Sequence, residues 1–320
     1  MRRFFKILAG TVCLGAVLCA AFLSWTIYSL RPVCREDFFP PEKAGAQTEA
    51  KAESQLKILT WNIQMLPSLL GGWIPPLDKM QQVRAAWIVD YLKQQDYDVV
   101  CLQEAFDPKR VADLVDGLRS VYPYVVLPRR GGHFWQLSSG VLFLGRVPIK
   151  HAAHVVFNVG AGVERFAAKG STLIEGTKDG FTFQVAGTHF PTGKDDYRLS
   201  SLKTAEERLL KPNRRDRVPQ FFVGDFNIKK DTPEYGALLR ETGMTDFPID
   251  DPRPYTSDSN NSWKRGKSKL AHIDHVLLDP RGTQTTIRTQ HIQRPTREYN
   301  GQAIDLADHY GVIAEALLLK

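Results

Sequence analysis

Short apolar runs bounded by turn-forming residues recur along the chain from residue 57 to its end. Their content of β-branched and aromatic residues predicts strands rather than helices. The ten predicted strands are Lys57–Asn62, Val99–Gln103, Tyr124–Leu127, Gly140–Leu144, Ala153–Phe157, Gly170–Glu175, Phe181–His189, Gln220–Asp225, His272–Leu278 and Gly311–Leu318.

Apolar residues at three- and four-residue spacing predict helices between some of these strands. The four predicted helices are Gln81–Gln94, Lys109–Ser120, Leu199–Leu210 and Pro233–Glu241. Strands outnumber helices, and the segment 124–189 is nearly all strand, so the elements do not alternate strictly. This pattern favours an α/β domain with a two-sheet core and helices packed outside it.

An apolar stretch without charged residues covers positions 7–30, after a basic start at residues 1–6. Two dozen residues can span a bilayer at about 1.5 Å per residue, and Trp25 and Tyr28 lie at its far end, where aromatic residues favour the interface. We predict a single-pass signal anchor at 7–30, with residues 1–6 cytoplasmic and the body outside the cytoplasm. A cleaved signal peptide, giving a secreted protein, is the alternative.

Residues 31–56 are rich in Pro, Ala, Glu and Lys and predict a flexible linker. The rest of the chain, 57–320, shows no repeat and no second linker, and predicts one domain. The 320 residues are 43% hydrophobic with a net charge of +7. The excess of positive charge favours binding to anionic partners, or it reflects a basic surface exposed to solvent. Cys101 is the only cysteine in the domain, which excludes an internal disulfide and a Cys/His zinc site.

Six polar motifs lie at the ends of predicted strands. They are Trp61-Asn62, Gln103-Glu104, Gly187-Thr188-His189, Gly224-Asp225-Phe226-Asn227, Ile273-Asp274 and Asp308-His309. Taken singly, such residues also occur as turn caps, surface carboxylates or core histidines. Taken together, they indicate one polar site at a common rim of the two sheets, held by rigid strands.

The chemistry of this set suits metal-assisted attack on a phosphate ester. Carboxylate and amide oxygens are hard ligands of the kind Mg²⁺ prefers, and the histidines and further carboxylates can move protons and stabilise charge. The chain has no G-x-S-x-G motif, no P-loop and no dinucleotide-binding glycine motif after a strand, so serine hydrolases, nucleotide kinases and dinucleotide enzymes lose support.

The order and completeness of the motifs resemble the endonuclease/exonuclease/phosphatase superfamily, over nearly all of residues 57–320. The resemblance implies a DNase I-like four-layer αββα sandwich, with two mostly antiparallel sheets between helices. Within the superfamily, the chain is most similar to the sphingomyelinase type of phospholipase C. The segments that carry this similarity are Phe106-Asp107, Gly140–Ile149 and Lys169-Gly170. It departs from the commoner pattern at Ala307, His275 and Gly311, which removes no catalytic group.

The resemblance also implies roles for the site residues. Glu104 would be the principal Mg²⁺ ligand, with Asn62 beside it and Mn²⁺ as an alternative ion. His309 would be the general base, oriented by Asp274. The remaining site residues would position the phosphate and nucleophile (Asp225, Asn227), stabilise the phosphoryl charge or leaving group (His189), bind substrate (Lys169) or stand beside the base (Asp308).

A phospholipid in a membrane is the substrate that the resemblance and the predicted anchor favour. The segment Leu66–Leu77 next to Asn62 carries four apolar residues predicted to contact the membrane: Leu69, Leu70, Trp73 and Ile74. The same loop could instead fold back on the core. We expect a monomer.

Three other functions stay open from the sequence. A nuclease would use the basic runs Lys211–Arg217 and Lys264–Lys269 to contact phosphates of nucleic acid, although such runs are more often solvated loops. An inositol-phosphate phosphatase would share the same site. A membrane-tethered binding protein with a relict site is the non-enzymatic alternative.

Overall fold

The computed structural model describes residues 36–40, 51–67, 77–131, 136–160, 162–264 and 270–320. The strands in these ranges are β1 Glu53–Met65, β2 Val99–Ala105, β3 Tyr124–Val126, β4 Leu142–Gly145, β5 Ile149–Val156, β6 Gly170–Lys178, β7 Phe181–His189, β8 Gln220–Asp225, β9 Thr245–Asp246, β10 Asp274–Asp279, β11 Thr286–Gln293, β12 Thr296–Tyr299, β13 Gln302–Asp305 and β14 Gly311–Leu319. The main helices are α1 Leu77–Lys93, α2 Pro108–Leu118, α3 Asp195–Ala205 and α4 Pro233–Thr242.

Two six-stranded sheets form the centre of the domain. The first has the order β11-β14-β1-β2-β4-β3 and the second β5-β6-β7-β8-β10-β9. Each contains one parallel pair, β1 with β2 and β7 with β8, and its other neighbours are antiparallel. The prediction of two mostly antiparallel sheets is therefore confirmed.

Alternation along the strands places one row of side chains between the sheets and the other row under helices. In β1, Leu56 and Ile58 belong to the core between the sheets. Leu59, Trp61 and Ile63 pack instead with residues of α1 and α2. On the second sheet, residues of β6, β7, β8 and β10 pack in the same way with α3 and α4. These layers form the predicted helix–sheet–sheet–helix sandwich.

Local sequence signals fix the helix ends. Asp107 caps α2 by accepting hydrogen bonds from the backbone N–H groups of Lys109 and Arg110, with Pro108 in the first turn. Thr232 caps α4 at its start, and Gly243 ends it in the left-handed conformation at φ 63°. The α3 helix continues through a π-helical segment, Glu206–Leu210, and a further turn at Lys211–Asn213.

Four strands, the two-residue β9 and the three from β11 to β13, are absent from the sequence prediction. The edge strand β11 contains few apolar residues, so its alternation is weak. The strands β12 and β13 form a separate polar ribbon, joined by Asn300 and Gly301 at φ 52° and 73°. Asn-Gly is the pair that favours a two-residue hairpin turn, and it was the available signal for this ribbon.

Part of the predicted linker belongs to the domain. The β1 strand begins at Glu53, and Phe38 forms backbone hydrogen bonds of 3.0 and 2.8 Å with Val125 at the edge of the first sheet. The Asp37 carboxylate accepts from the Leu127 N–H at 2.9 Å and pairs with Arg129. The flexible-linker prediction is wrong for these residues, because an open strand edge offers backbone partners.

The predicted anchor at 7–30 lies outside the described residues. Among the helices that the structure describes, none is both long enough and apolar enough to cross a membrane.

Candidate active site

One end of the sandwich gathers all the strand ends that carry the polar motifs. The parallel strands β1 and β2 reach this end at Asn62 and Glu104, and β7 and β8 reach it at His189 and Asp225. The antiparallel strands β10 and β14 start there, just at or after the last two motifs. Asp274 pairs with Asp225 in the register of β10 and β8. The predicted assembly of one polar site is observed.

A glycine allows β7 and β8 to approach closely enough to set His189 beside Asp225. Gly224 has φ 141°, and a Cβ there would lie 2.1 Å from the carbonyl oxygen of Thr188 on the neighbouring strand. Any larger residue would force the two strands apart. The motif glycine therefore serves the geometry of the site rather than the chemistry.

Asn62 joins the two sheets at the site. Its Nδ2 donates to Glu104 Oε1 at 3.0 Å and to Asp225 Oδ2 at 3.0 Å. Its Oδ1 accepts from the backbone N–H of Gln64 at 3.1 Å. The amide thus places its partially positive nitrogen between two carboxylates. To bind a cation directly, Asn62 would have to turn its amide oxygen, in place of its nitrogen, toward the space between the two carboxylates.

The backbone of Glu104 has a left-handed conformation, which sets the direction of its side chain. Its φ is 57°, and Gln64 opposite it in the irregular end of β1 has φ 48°. Left-handed conformations are uncommon for such residues and collect at functional sites. Burial raises the pKa of Glu104, and the nearby charge of Asp308 raises it further. An added positive charge would stabilise this carboxylate.

His189 lies against the same two carboxylates. Its Nε2 is 3.8 Å from Glu104 Oε1 and 3.8 Å from Asp225 Oδ2. Burial lowers the pKa of this histidine well below its ordinary value, with Lys169 and His309 acting in the same direction. His189 is therefore neutral at physiological pH. Its Nδ1 has no hydrogen-bond partner among the described residues.

His309 and Asp274 form a buried pair. His309 Nδ1 lies 2.9 Å from Asp274 Oδ2, and the Asp274 side chain is fully buried. The backbone N–H of Asp274 donates to Thr256 Oγ1 at 3.2 Å, which fixes the acid. A carboxylate at Nδ1 selects the tautomer that leaves Nε2 free to accept a proton. The two residues, far apart in sequence, thus form an Asp-His dyad.

The pKa of His309 predicts a pH dependence of stability. Burial acts to lower this pKa, but the charges of Asp274 and Asp308 and the hydrogen bond to Asp274 raise it to about 9, against the opposing charge of Lys264. Because the folded-state pKa exceeds the unfolded one, the contribution is complete below about pH 6.5 and is lost as the pH rises through about 9. Thermal unfolding of metal-free protein should show a falling Tm over this range, and His309→Gln should remove that part of the fall. An unchanged slope in the variant would contradict the assignment.

The donor set fits a divalent cation. Asp225, Asp274 and His309 offer ligand atoms within 4.8 Å of one another, and Asp274 Oδ1 and Asp308 Oδ1 lack partners among the described residues. Burial and the charge of Asp274 raise the pKa of Asp225 to about 6. His309 Nδ1 contacts Asp274, so the carboxylate oxygens of Asp225 and Glu104 are the donors on the other side of the group. Oxygen donors of this kind suit hard ions.

The remaining predicted residues lie around this centre. Asn227, at φ 52°, donates through its backbone N–H to Asp225 Oδ1 at 2.9 Å and through Nδ2 to the Phe190 carbonyl at 3.0 Å. Asp308 Oδ2 is 3.4 Å from Lys264 Nζ. These three contacts fix Asn227 and Asp308 next to the other site residues. The positions predicted to touch the membrane, Leu69, Leu70, Trp73 and Ile74, lie outside the described residues.

Lys169 is already engaged by its own loop. Its Nζ lies 2.6 Å from Glu164 Oε1 and 3.3 Å from the Phe190 carbonyl, and the residue is only 7% exposed. Glu164 also accepts from the backbone N–H of Thr192 at 3.0 Å. This pair ties together the loops that follow β5 and β7. Substrate binding by Lys169 stays a prediction, and it would require this ion pair to be shared.

Sequence reasoning missed the residues that support the site from behind. Arg84, Asn261 and Trp263 donate to backbone carbonyls of the loop that carries His309. None belongs to a recognisable motif, and each lies far from His309 in sequence. The available signal for Arg84 was its positive charge within the predicted helix Gln81–Gln94.

Comparison with known proteins identifies a family and several relatives. The profile of the Endonuclease/Exonuclease/phosphatase family matches residues 59–296. Sphingomyelinase C 2 of Leptospira interrogans is 25% identical over 318 residues, which cover 86% of this chain and 49% of the relative. A phospholipase C of Staphylococcus aureus is 26% identical over 272 residues, covering 73% and 79%. The chain spans about half the length of the Leptospira sphingomyelinases that it matches.

A solved structure shares the fold. A variant of the Staphylococcus aureus beta toxin, crystallised with bound magnesium ions, superposes with a TM-score of 0.68 at 22% identity, over 83% of this chain and all of that one. At this level of identity the likeness establishes the architecture, and the chemistry has to be argued from the site.

Proposed function

The chain belongs to the Endonuclease/Exonuclease/phosphatase family, and from that premise we propose that it is a metal-dependent phosphodiesterase that hydrolyses a membrane phospholipid. The observation that carries the proposal is the 2.9 Å contact between His309 Nδ1 and Asp274 Oδ2, beside the acids Glu104 and Asp225. A dyad next to a cation site is what in-line attack of water on phosphorus requires. The sphingomyelinase C and phospholipase C relatives support a phospholipid as the substrate.

In this proposal His309 acts as the general base. Its Nε2 takes a proton from water as the water oxygen bonds to phosphorus, and the bond from phosphorus to the lipid alcohol breaks. Asp274 holds the ring and stabilises the charge that forms on it. The alcohol oxygen takes up a proton, and a phosphorylated head group is released. The reaction consumes one water and needs no other reactant.

The other residues bind and orient the phosphate. Neutral His189 can offer an N–H to a phosphoryl oxygen or to the leaving oxygen, and its burial keeps it uncharged. Asp225 and Asn227 position the nucleophile and the phosphate. A divalent cation held by Glu104, with Asn62 beside it, would neutralise charge on the phosphate and lower the pKa of nearby groups. We propose Mg²⁺ for this position, with Mn²⁺ as the alternative.

We further propose that the apolar segment at 7–30 anchors the domain at a lipid surface outside the cytoplasm. The apolar residues Leu69, Leu70, Trp73 and Ile74 would then contact the bilayer. Extraction of the membrane fraction with carbonate tests the anchor. An anchored chain stays with the membrane, and a cleaved chain appears in the soluble fraction at a lower mass.

A substrate panel tests the proposed function. Sphingomyelin vesicles, phosphatidylcholine vesicles, supercoiled plasmid and an inositol polyphosphate are each incubated with the full chain and Mg²⁺, Mn²⁺ or EDTA. We expect release of a phosphorylated head group that EDTA abolishes. Plasmid nicking or inorganic phosphate release without any head-group release would replace the proposal by one of its alternatives, and no hydrolysis of any substrate would indicate a relict site.

The basic run Lys211–Arg217 gives no support to a nuclease. It precedes the start of β8, at the end of the strand opposite Asp225, and Arg214 pairs with Glu206 and Asp279. Of the second basic run, Lys264 pairs with Asp308 and residues 265–269 lie outside the described residues. Replacing the exposed Lys211 and Arg217 with alanine should change hydrolysis by less than about twofold, since exposed charges far from a site contribute little. A large fall in activity on a polyanionic substrate would favour the nuclease.

A further inference from the structure

Arg84 is a fully buried charged residue on α1 with an unusual set of partners. It is 0% exposed, and no carboxylate in the described ranges lies within 4.0 Å of its guanidinium. Its Nη1 donates to the Leu306 carbonyl at 3.2 Å, and its Nη2 donates to the carbonyls of Ile63 and Gln64 at 3.3 and 2.6 Å. Burial of an arginine without an acid is costly, so the three carbonyl contacts are its main compensation.

These carbonyls belong to the two halves of the active site. Ile63 and Gln64 directly follow Asn62, at the irregular end of β1 where Glu104 lies opposite. Leu306 directly precedes the segment that carries Asp308 and His309. One guanidinium therefore links the backbone on the cation side of the site to the backbone on the base side.

The loop that carries the base is fixed at nearly every carbonyl. Trp263 Nε1 donates to the Asp305 carbonyl at 2.7 Å, and Asn261 Nδ2 donates to the Ala307 carbonyl at 2.9 Å. Trp61 Nε1 donates to the His309 carbonyl at 2.9 Å. Arg84 supplies the donor at Leu306, and its guanidinium lies 5.3 Å from the centre of the Trp263 ring. Trp61 belongs to β1 and connects that strand to the loop at His309, whereas Arg84 connects the loop at Leu306 to the carbonyls of Ile63 and Gln64.

The charge of Arg84 also faces the acids of the site. Burial lowers its pKa to about 10, while the charges of Asp308 and Glu104 act to raise it. The residue is therefore protonated at neutral pH. Arg84 therefore places a fixed positive charge behind both acids. A lysine or a neutral side chain of similar size would not reproduce its hydrogen bonds to the three carbonyls.

We propose that Arg84 is a positioning residue that sets the distance and angle between the His309 base and the Asn62–Glu104 half of the site. The inference rests on the proposed function and deepens it. Arg84 does not touch the reacting atoms, and it acts by holding two backbone segments in register. Loss of the link would let the base-carrying loop move relative to β1, and misplacement of about 1 Å is enough to cost about 100-fold in rate.

The test compares Arg84→Met, Arg84→Lys and Leu92→Ala in the full chain. Leu92 is a fully buried residue of the same helix, so its truncation matches the loss of stability without touching the link. At temperatures where all variants are folded, we expect Arg84→Met to lower kcat by about 100-fold with KM within about threefold. Arg84→Lys should recover part of kcat, and Leu92→Ala should keep kcat within about twofold.

A second readout needs neither metal nor substrate. Hydrogen exchange of the Trp61 indole N–H, followed by NMR in metal-free protein, reports its bond to the His309 carbonyl. We expect faster exchange in Arg84→Met than in Leu92→Ala at equal global stability. Equal exchange rates in the two variants, or equal losses of kcat, would overturn the proposal. If the wild type hydrolyses no phosphodiester, the proposed function fails, and the indole exchange still decides the role of Arg84.

Discussion

His309→Gln should lower kcat by about 10²- to 10⁴-fold and leave KM within a few-fold, because a positioned general base contributes this much to the rate and little to binding. The glutamine keeps a polar side chain of similar length but cannot take the proton from water. Steady-state kinetics on phospholipid vesicles under saturating Mg²⁺ measures the effect. This is the largest loss in kcat that the site predicts for one substitution.

Asp274→Asn should approach the same loss by a different route. The asparagine keeps the shape of the acid but can no longer accept from His309 Nδ1 with a full charge, so the ring loses its tautomer and orientation. His154→Gln is the matched control for the first variant, because His154 is exposed and lies on the edge strand β5. Asp116→Asn is the matched control for the second, with a side chain 71% exposed on α2. Full activity in His309→Gln would refute its assignment as the base.

Glu104→Gln should weaken binding of Mg²⁺ or Mn²⁺ by at least about 100-fold, since it removes the charge of the oxygen ligand that we propose as the principal one. Calorimetric titration of the metal-free chain measures this directly. The metal-free variant should unfold at a temperature no lower than that of the wild type. Burial and Asp308 both disfavour the ionised Glu104, so its removal relieves a cost in the absence of metal.

Glu241→Gln provides the control for the metal titration, because Glu241 is exposed at the end of α4. Its metal affinity should match that of the wild type. If Glu104→Gln binds the ion as tightly as the wild type, the cation lies elsewhere, and the group formed by Asp225, Asp274 and His309 becomes the first candidate.

The residues that meet at the site were predictable from sequence because each lies at or next to one end of a strand. An apolar run of β-branched residues followed by Asn62 or Glu104 carries both the strand and its polar end in one local pattern. The fold aligns those ends through two parallel pairs and through antiparallel partners that begin at the same rim. The order of the strands within each sheet was not predicted, since no local pattern specifies which strands are neighbours.

The orientation of side chains at the site was beyond the sequence. Asn62 presents its nitrogen to the acids because Gln64 takes its oxygen, and Lys169 pairs with Glu164 from its own loop. Both outcomes depend on tertiary contacts that no spacing encodes. The role of Arg84 shows the same limit, because its partners are backbone carbonyls and leave no mark on the sequence.

Hydrolysis of sphingomyelin vesicles in water enriched with ¹⁸O tests the central claim most directly. The mechanism predicts one ¹⁸O atom in the released phosphorylated head group and none in the lipid alcohol, with release that stops in EDTA and falls in Glu104→Gln and His309→Gln. Label in the lipid alcohol, or release that neither EDTA nor these substitutions reduce, would contradict attack on phosphorus by water activated at this site.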